Sequence, residues 1–303
     1  MSLNQLLQVR ALDLPSREAM LNRDRSVQHF WDSNRDLLSG AWREWEENEK
    51  ERLIILDDAL LDANLRDAVV QAWEDPATES SVRDLWQEVS PGVFLSQFFD
   101  PERLADLRNY LEVVSSAKIP LRPPYGIVLN SGGAMLDPRS EGFLAVPGFQ
   151  AFYRELLDNY MRPIGRLLFP EVMGYDTQTF GFSIKYQAGG DSSLRLHTDA
   201  SAVTLNINLN LPGEAFAGSA VDFLDPVTGR MNRQVFKPGS AIIHRGNVAH
   251  ATQPITDGER TNLVMWLYGD DGQIPFHCTP SLATDARQRW TVQPAEYDDF
   301  APF

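Results

Sequence analysis

The feature that most constrains this 303-residue chain is a change of hydrophobic period part-way along it. Up to about residue 90, apolar residues recur at helical spacing. After Gly174 they alternate: Phe180, Phe182, Ile184 and Tyr186 are separated by Gly181, Ser183 and Lys185. Val203, Leu205, Ile207, Leu209 and Leu211 are separated in the same way by Thr204, Asn206, Asn208 and Asn210. Successive strand side chains point to opposite faces, so a period of two marks a strand with one apolar side. Shorter strand candidates follow at 219–224, 233–236, 240–244 and 262–268, between turns rich in Gly, Pro, Asn and Asp, a pattern that suits a sandwich or jelly roll. Helices first and strands later make an α+β chain. The expected organisation is a helical extension at 1–90 packed on the core, a jelly-roll (double-stranded β-helix) domain with supporting helices at 91–290, and a tail at 291–303.

Within the extension, Trp42 and Trp45 are three apart and share a helix face among Arg43, Glu44, Glu46, Glu47, Glu49 and Lys50. Leu53, Leu60, Leu61, Leu65, Val69 and Trp73 predict a helix that Asp75-Pro76 closes, and Ser80, Ser81 and Asp84 mark a short further one. Packing is the expected role of all of these. Gly92 to Leu95 reads as a strand. Asp100 is the expected N-cap, with Pro101 in the first turn, of a helix whose stripe is Leu104, Leu107, Leu111 and Val114. A second helix is expected over about 148–168. The Pro- and Gly-rich segment 119–147 reads as a strand and a loop over a site, with Arg122, Tyr125 and Asn130 as candidate substrate contacts.

Charge and cysteine usage narrow the partners. A net charge of −15 argues against nucleic acid, which needs a basic surface. The single cysteine, Cys278, excludes an internal disulfide. The first residues lack a basic region followed by a long apolar run, and no window approaches the roughly 18 apolar residues of a membrane span. A soluble, intracellular (cytoplasmic) protein without a membrane partner is expected.

The chemistry-bearing motif is His197-Thr198-Asp199, just ahead of the second alternating stretch. On an extended backbone, residues two apart point the same way, so imidazole and carboxylate can reach one ion. One more imidazole would complete the two-histidine, one-carboxylate set that suits non-haem Fe(II) and leaves open positions. His250 is the nominee, and His244, in IIHRGNVAH, is its rival. His29 lies in the helical extension and His277 beside Cys278, neither with metal-like neighbours. Arg260 follows His250 by ten residues, at the start of the strand TNLVMWLYG. It can point inward as an anion clamp, or form a surface ion pair with Asp257 or Glu259.

The stretch HTDASAVTLNINLN, with His250 and Arg260 beyond it, resembles the catalytic domain of iron/2-oxoglutarate lysyl hydroxylases. PGSAIIHRGNVAHATQPITDGERTNLVMW is similar to the related Fe2OG dioxygenase-domain proteins, within the wider prolyl 4-hydroxylase-like superfamily. The resemblance covers about 90–270 and is densest over 180–268. It implies that His197, Asp199 and His250 bind Fe(II) and that Arg260 holds the C5 carboxylate of the cosubstrate 2-oxoglutarate. It also implies that Asn206 and Tyr186 line the cosubstrate pocket, although read as residues alone Asn206 can face water and Tyr186 can merely pack. Ascorbate is a candidate reductant.

The implied activity is hydroxylation of an unactivated C–H with release of succinate and CO2. The substrate would be of amino-acid type: a protein Lys or Pro side chain, or a small molecule such as a free amino acid or natural-product intermediate. Unlike collagen lysyl hydroxylases, this chain shows no upstream glycosyltransferase-sized region and no secretory signal, so a collagen substrate is not expected. Two alternatives stand beside this reading: a non-catalytic jelly-roll binding module, and a cupin-like metalloenzyme that uses no 2-oxoglutarate. A binding module has no need of all four residues, and dependence on Arg260 separates the cupin-like case.

Overall fold

The structure, a computed structural model, describes residues 4–21, 25–120, 134–135, 147–269 and 285–292. Its first three helices are α1 (Gln5–Arg10), α2 (Arg17–Leu21) and α3 (Arg25–Glu49). One stripe of α3 buries Val27, Trp31, Leu38, Ala41, Trp42 and Trp45. Trp42 and Trp45 meet edge-on at 5.6 Å, as their spacing predicts.

The helix expected from Arg52 onward is shorter. Only α4 (Ala63–Glu74) forms, after a 3-10 turn at Asp58–Leu60. The reason is local: the Asp57 carboxylate accepts from Ala59 N–H, and the Asp62 carboxylate accepts from Asn64 and Leu65 N–H. Such caps start new helices and are worth about 1 kcal/mol each. Leu60 and Leu61 are nevertheless buried.

Helix α5 (Ser80–Asp84) is followed by β1 (Gln87–Ser90), a strand the sequence did not signal, paired with β2 (Val93–Gln97). Helix α6 (Leu104–Ser116) starts later than expected, because Asp100 caps a turn at Glu102 rather than the helix itself. Leu104 and Leu107 are buried as expected; Leu111 and Val114 are half-buried. Strand β3 (Ala134–Met135) comes next, and the segment around it with Arg122, Tyr125 and Asn130 lies outside the described residues. The helix expected over 148–168 is α7 (Pro147–Glu155) and α8 (Arg162–Leu168), joined by a π-helical stretch at Leu156–Met161.

The remaining strands are β4 (Gln178–Gln187), β5 (Leu194–His197), β6 (Val203–Asn208), β7 (Ala217–Gly218), β8 (Val221–Leu224), β9 (Met231–Gln234), β10 (Ser240–Arg245), β11 (His250–Thr252), β12 (Ile255–Asp257) and β13 (Glu259–Tyr268). A last helix is α9 (Ala286–Arg289). The two main sheets run β1-β2-β10-β6-β13-β4-β3 and β5-β11-β8-β9, with a small third sheet of β7 and β12, all antiparallel. From β4 onward the chain shuttles between the two sheets, with β4, β6, β10 and β13 in one and β5, β8, β9 and β11 in the other. That alternation is a double-stranded β-helix, so the α+β jelly-roll expectation holds.

Register explains the two alternating stretches. Val264 of β13 lies opposite Phe182 of β4 and Asn206 of β6, so even-numbered residues of all three strands share a face. That face, with Ile242 and His244 of β10, lines a cavity. Odd-numbered Val203, Leu205 and Ile207 pack into the core cluster that also contains the helices. Thus β4 turns its apolar side to the cavity, whereas β6 turns its polar side there. Among the described residues no helix is long and apolar enough to cross a membrane.

Candidate metal centre and its cavity

His197 closes β5, and Asp199 sits in the turn that leads to β6, rather than both entering one strand. The turn is held by the loop after β10: Asp199 N–H donates to Gly246 O at 2.9 Å, and Gly246 N–H donates to Ala202 O at 3.1 Å. A Cβ on residue 246 would lie 1.9 Å from Ser201 O, so only glycine permits this approach. His250 opens β11 directly opposite His197 in the β5–β11 ladder. Directly paired residues share a sheet face, and the two rings lie 4.3 Å apart. Strand register thus unites residues far apart in the chain.

The ligating atoms are oriented as well as close. His197 Nδ1 is 2.7 Å from Arg195 O, and His250 Nδ1 is 3.0 Å from Val248 O. A carbonyl only accepts, so each Nδ1 carries the proton and each Nε2 offers a lone pair. Thr204 Oγ1 donates to Asp199 Oδ2 at 2.6 Å, with Ser201 Oγ 2.8 Å behind it. Oδ1 is left facing His197 Nε2 at 3.5 Å and His250 Nε2 at 3.9 Å. One ligand atom from each of the three residues falls within 4.8 Å of the others, a spacing that can hold one metal ion.

The electrostatics fit a cation. Burial opposes the Asp199 charge, but His250, the His197 hydrogen bond, His244 and Thr204 together hold its carboxyl below the usual range. Burial pushes His250 down, against the pull of Asp199. At His197 burial also acts downward, and the Asp199 hydrogen bond and charge outweigh it.

His244, the rival nominee, lies outside the three-residue cluster. Its ring is buried, with Nδ1 2.8 Å from Arg245 O and Nε2 3.8 Å from Asp199 Oδ2, on the other side of the carboxylate from His197 and His250. Burial, then His250, pushes it down to about 4, so it stays neutral beside the cluster. His29 is exposed in α3, and His277 and Cys278 lie outside the described residues.

The cavity beside the cluster measures about 350 Å3 and has Tyr186, Asn206, Phe236, Thr252 and Trp266 in its walls. Arg260 does not form the surface ion pair that its acidic neighbours allow. Strand alternation turns Glu259 outward to Lys185, at 2.6 Å, and Arg260 inward, 1% exposed and opposite Tyr186 in the β13–β4 ladder. Its guanidinium lies 4.6 Å from the Tyr186 ring centroid and 5.1 Å from that of Phe236. Nη1 donates to Ser219 O at 2.6 Å, while Nε and Nη2 have no hydrogen-bond partner among the described residues. Burial pushes this guanidinium down to about 10, with Tyr186 opposing, so it remains a cation at neutral pH. A buried cation with two idle donors is costly unless an anion joins it.

Tyr186 packs under Arg260, and its hydroxyl accepts from Thr252 Oγ1 at 3.3 Å. Asn206 faces the cavity, with Oδ1 accepting from Asn262 Nδ2. Thr204, Ser219 and Asn262 were not foreseen. Asn262 had a signal, because it is two residues from Arg260 on the same strand face. Ser219 had none: its unpartnered buried hydroxyl and left-handed backbone, φ 55°, emerge only in three dimensions.

No protein-family model matches the chain. Among curated proteins, it is 29% identical over 238 residues to the Xenopus tropicalis 2-oxoglutarate and iron-dependent oxygenase domain-containing protein 2, covering 75% of this chain and 63% of that protein. The Arabidopsis thaliana 2-oxoglutarate and iron-dependent oxygenase domain-containing protein CP2 is 29% identical over 204 residues, covering 62% and 48% respectively. Both relatives carry 2-oxoglutarate and iron-dependent oxygenase domain in their names, and the chain is similar to them over these spans. It spans about half the length of the Arabidopsis relative. A rat multifunctional procollagen lysine hydroxylase and glycosyltransferase is 32% identical over 154 residues, which are 45% of this chain and 20% of that protein. Among solved structures, a prolyl 4-hydroxylase from Phytophthora capsici has a TM-score of 0.45 at 16% identity, covering 75% of each chain.

Proposed function

We propose that the chain is an Fe(II)- and 2-oxoglutarate-dependent hydroxylase acting on an amino-acid-type substrate. The observation that carries this reading is Arg260: a sealed cation whose Nε and Nη2 are unpaired, behind Tyr186 and Phe236 in the wall of the cavity that the His197–Asp199–His250 cluster lines. The donor set suits Fe(II), with two neutral imidazoles, one carboxylate oxygen and no thiolate. When bound, Fe(II) would supply O2 activation coupled to oxidative decarboxylation: 2-oxoglutarate, O2 and a C–H become succinate, CO2 and C–OH.

The chain's own residues do the rest. Thr204 fixes which oxygen of Asp199 faces the ion, and backbone carbonyls fix which nitrogen of each imidazole does. Arg260 receives the distal carboxylate of the 2-oxoacid by charge-assisted hydrogen bonds. Tyr186 and Phe236 exclude water from that pairing, and Asn206 touches the cosubstrate. The substrate is a small molecule or a peptide. The procollagen lysine hydroxylase similarity favours a protein Lys side chain, and prolyl peptides and free amino acids are the comparison set. A binding module would have no need of Arg260 and the His197–Asp199–His250 set together, which disfavours that alternative.

The test is anaerobic titration with Fe(II) and then 2-oxoglutarate, watching for the visible iron-to-2-oxoacid charge-transfer band. The band is expected in the wild type and absent in His250→Ala. Folded, metal-loaded protein without the band would overturn the reading in favour of a metalloenzyme that uses no 2-oxoglutarate. Succinate release with lysyl peptides, prolyl peptides and free amino acids then separates the substrates.

A further inference from the structure

Behind Asn206 lies a buried row of amides that the proposed chemistry does not use. Asn208 and Asn262 are fully buried and Asn210 is 3% exposed. Each has a defined polarity, because backbone groups fix one end of the row. Asn210 Oδ1 accepts from Thr261 N–H at 2.9 Å, and its Nδ2 donates to Glu259 O at 2.7 Å. Asn208 Oδ1 accepts from Asn210 N–H at 3.1 Å. A backbone N–H only donates, so neither side chain can turn over.

The consequence propagates. With its oxygen committed, Asn208 offers Nδ2, which reaches Asn262 Oδ1 at 3.4 Å. Asn262 therefore offers Nδ2 in turn, and that donates to Asn206 Oδ1. Asn206 is left with its own Nδ2, which makes no hydrogen bond to the described residues, on the wall of the cavity. An amide that presented its oxygen there would repel any carboxylate or keto oxygen.

We propose that Asn262 and Asn208 are positioning residues, and that this amide row holds Asn206 with its nitrogen toward the cavity as a donor to an oxygen of the 2-oxoacid cosubstrate. The inference rests on the reading of Asn206 as a cosubstrate contact. Neither Asn262 nor Asn208 touches the ligand. They act by excluding the amide orientation that would reject it, so the sheet backbone itself dictates which atom the ligand meets.

The test compares Asn262→Asp with Asn262→Leu by calorimetric binding of 2-oxoglutarate to Mn(II)-loaded protein at pH 8, alongside Mn(II) affinity and thermal melts. Aspartate still accepts from Asn208 but meets Asn206 with an acceptor, which drives Asn206 to turn its oxygen toward the cavity. Leucine breaks the row and strands the Asn208 donor, yet leaves Asn206 free to present its nitrogen. The expected result is a crossed ordering. Asn262→Asp binds 2-oxoglutarate about tenfold or more weakly with Mn(II) affinity kept, while Asn262→Leu binds better than Asn262→Asp but melts lower. A merely structural role makes leucine the worse variant in both assays, and that result overturns the proposal. If Asn262→Asp fails to fold, Asn208→Asp reverses the same row one step earlier and is expected to weaken binding likewise; wild-type affinity there overturns it too. Asn206→Ala separates the two layers. Unchanged 2-oxoglutarate affinity in that variant removes Asn206 from the cosubstrate site, whereas weakened binding beside unaffected Asn262→Asp and Asn208→Asp removes only the positioning row.

Discussion

Arg166 and Arg260 are both sealed from solvent, at 0% and 1% exposure, and they are held in opposite ways. Arg166, on α8, donates from Nε to Asp176 Oδ2 at 2.6 Å and from Nη1 to the carbonyls of Arg289 at 3.1 Å and Thr291 at 2.9 Å. Asp176 is fully buried, so this pair stitches the helical layer to the segment around α9. Among the described residues, Arg260 has one backbone carbonyl, two aromatic faces and no carboxylate. A buried charge that has its counter-ion in the protein is part of the architecture. One without it marks the place where a ligand brings the counter-ion. A third arginine gives the surface extreme: Arg233, mostly exposed, grips Asp222 with Nε at 2.7 Å and Nη2 at 2.8 Å.

The contrast can be broken at several points. The largest effect is expected from Arg166→Met, which leaves the buried Asp176 carboxylate with only Arg162 at 4.0 Å as a cation and should cost about 3–5 kcal/mol in urea unfolding. A loss below 1 kcal/mol would mean that this pair is not architectural. Arg260→Met should do the reverse. Unfolding stability should hold or rise, while 2-oxoglutarate binding to Mn(II)-loaded protein weakens by about 2–4 kcal/mol, roughly 30- to 1,000-fold. Equal cosubstrate affinity in that variant would remove Arg260 from the site.

A third substitution tries to turn one arginine into the other. Ser219→Asp puts a carboxylate on the residue whose backbone carbonyl accepts from Arg260, at a left-handed position that aspartate tolerates. It should raise stability by about 1–2 kcal/mol and weaken 2-oxoglutarate binding by about tenfold. Greater stability without weaker binding would show that the idle donors are not the ligand's. The smallest effect belongs to Asp222→Asn, about 1 kcal/mol at pH 7. The Arg233 hydrogen bonds hold the Asp222 carboxyl below its ordinary range, so its contribution is present above about pH 4 and fades as pH falls through the folded-state value. Wild type and variant should therefore converge in acid, and a stability gap that persists below about pH 2 would contradict this sign.

The members of the candidate site could be nominated from the chain. The H-x-D motif, a later histidine and a later arginine could be named from residue types and spacing, and the period-two stretches called for strands. What could not be read is where each strand's partners lie. Arg260 stood beside Asp257 and Glu259 in sequence, and only the start of β13 at Glu259, three residues before the expected boundary, put it on the inner face. The β5–β11 register sets His250 opposite His197, which favours His250 over His244 as the third member of the cluster. Asn206 alternates with apolar residues that face the helices, so its polar side resembled a solvated one until the second sheet closed over it. Residues 53–61 misled in the other direction: their apolar spacing is helical, but capping aspartates interrupt the helix.

The sequence by itself determined the kinds of element and the inventory of reactive side chains, because periodicity and local capping act within a few residues. The tertiary structure alone decided which imidazoles converge, which nitrogen each presents, and that no carboxylate among the described residues meets Arg260. Those outcomes depend on strand register between segments distant in the chain, and packing of both sheet faces sets that register.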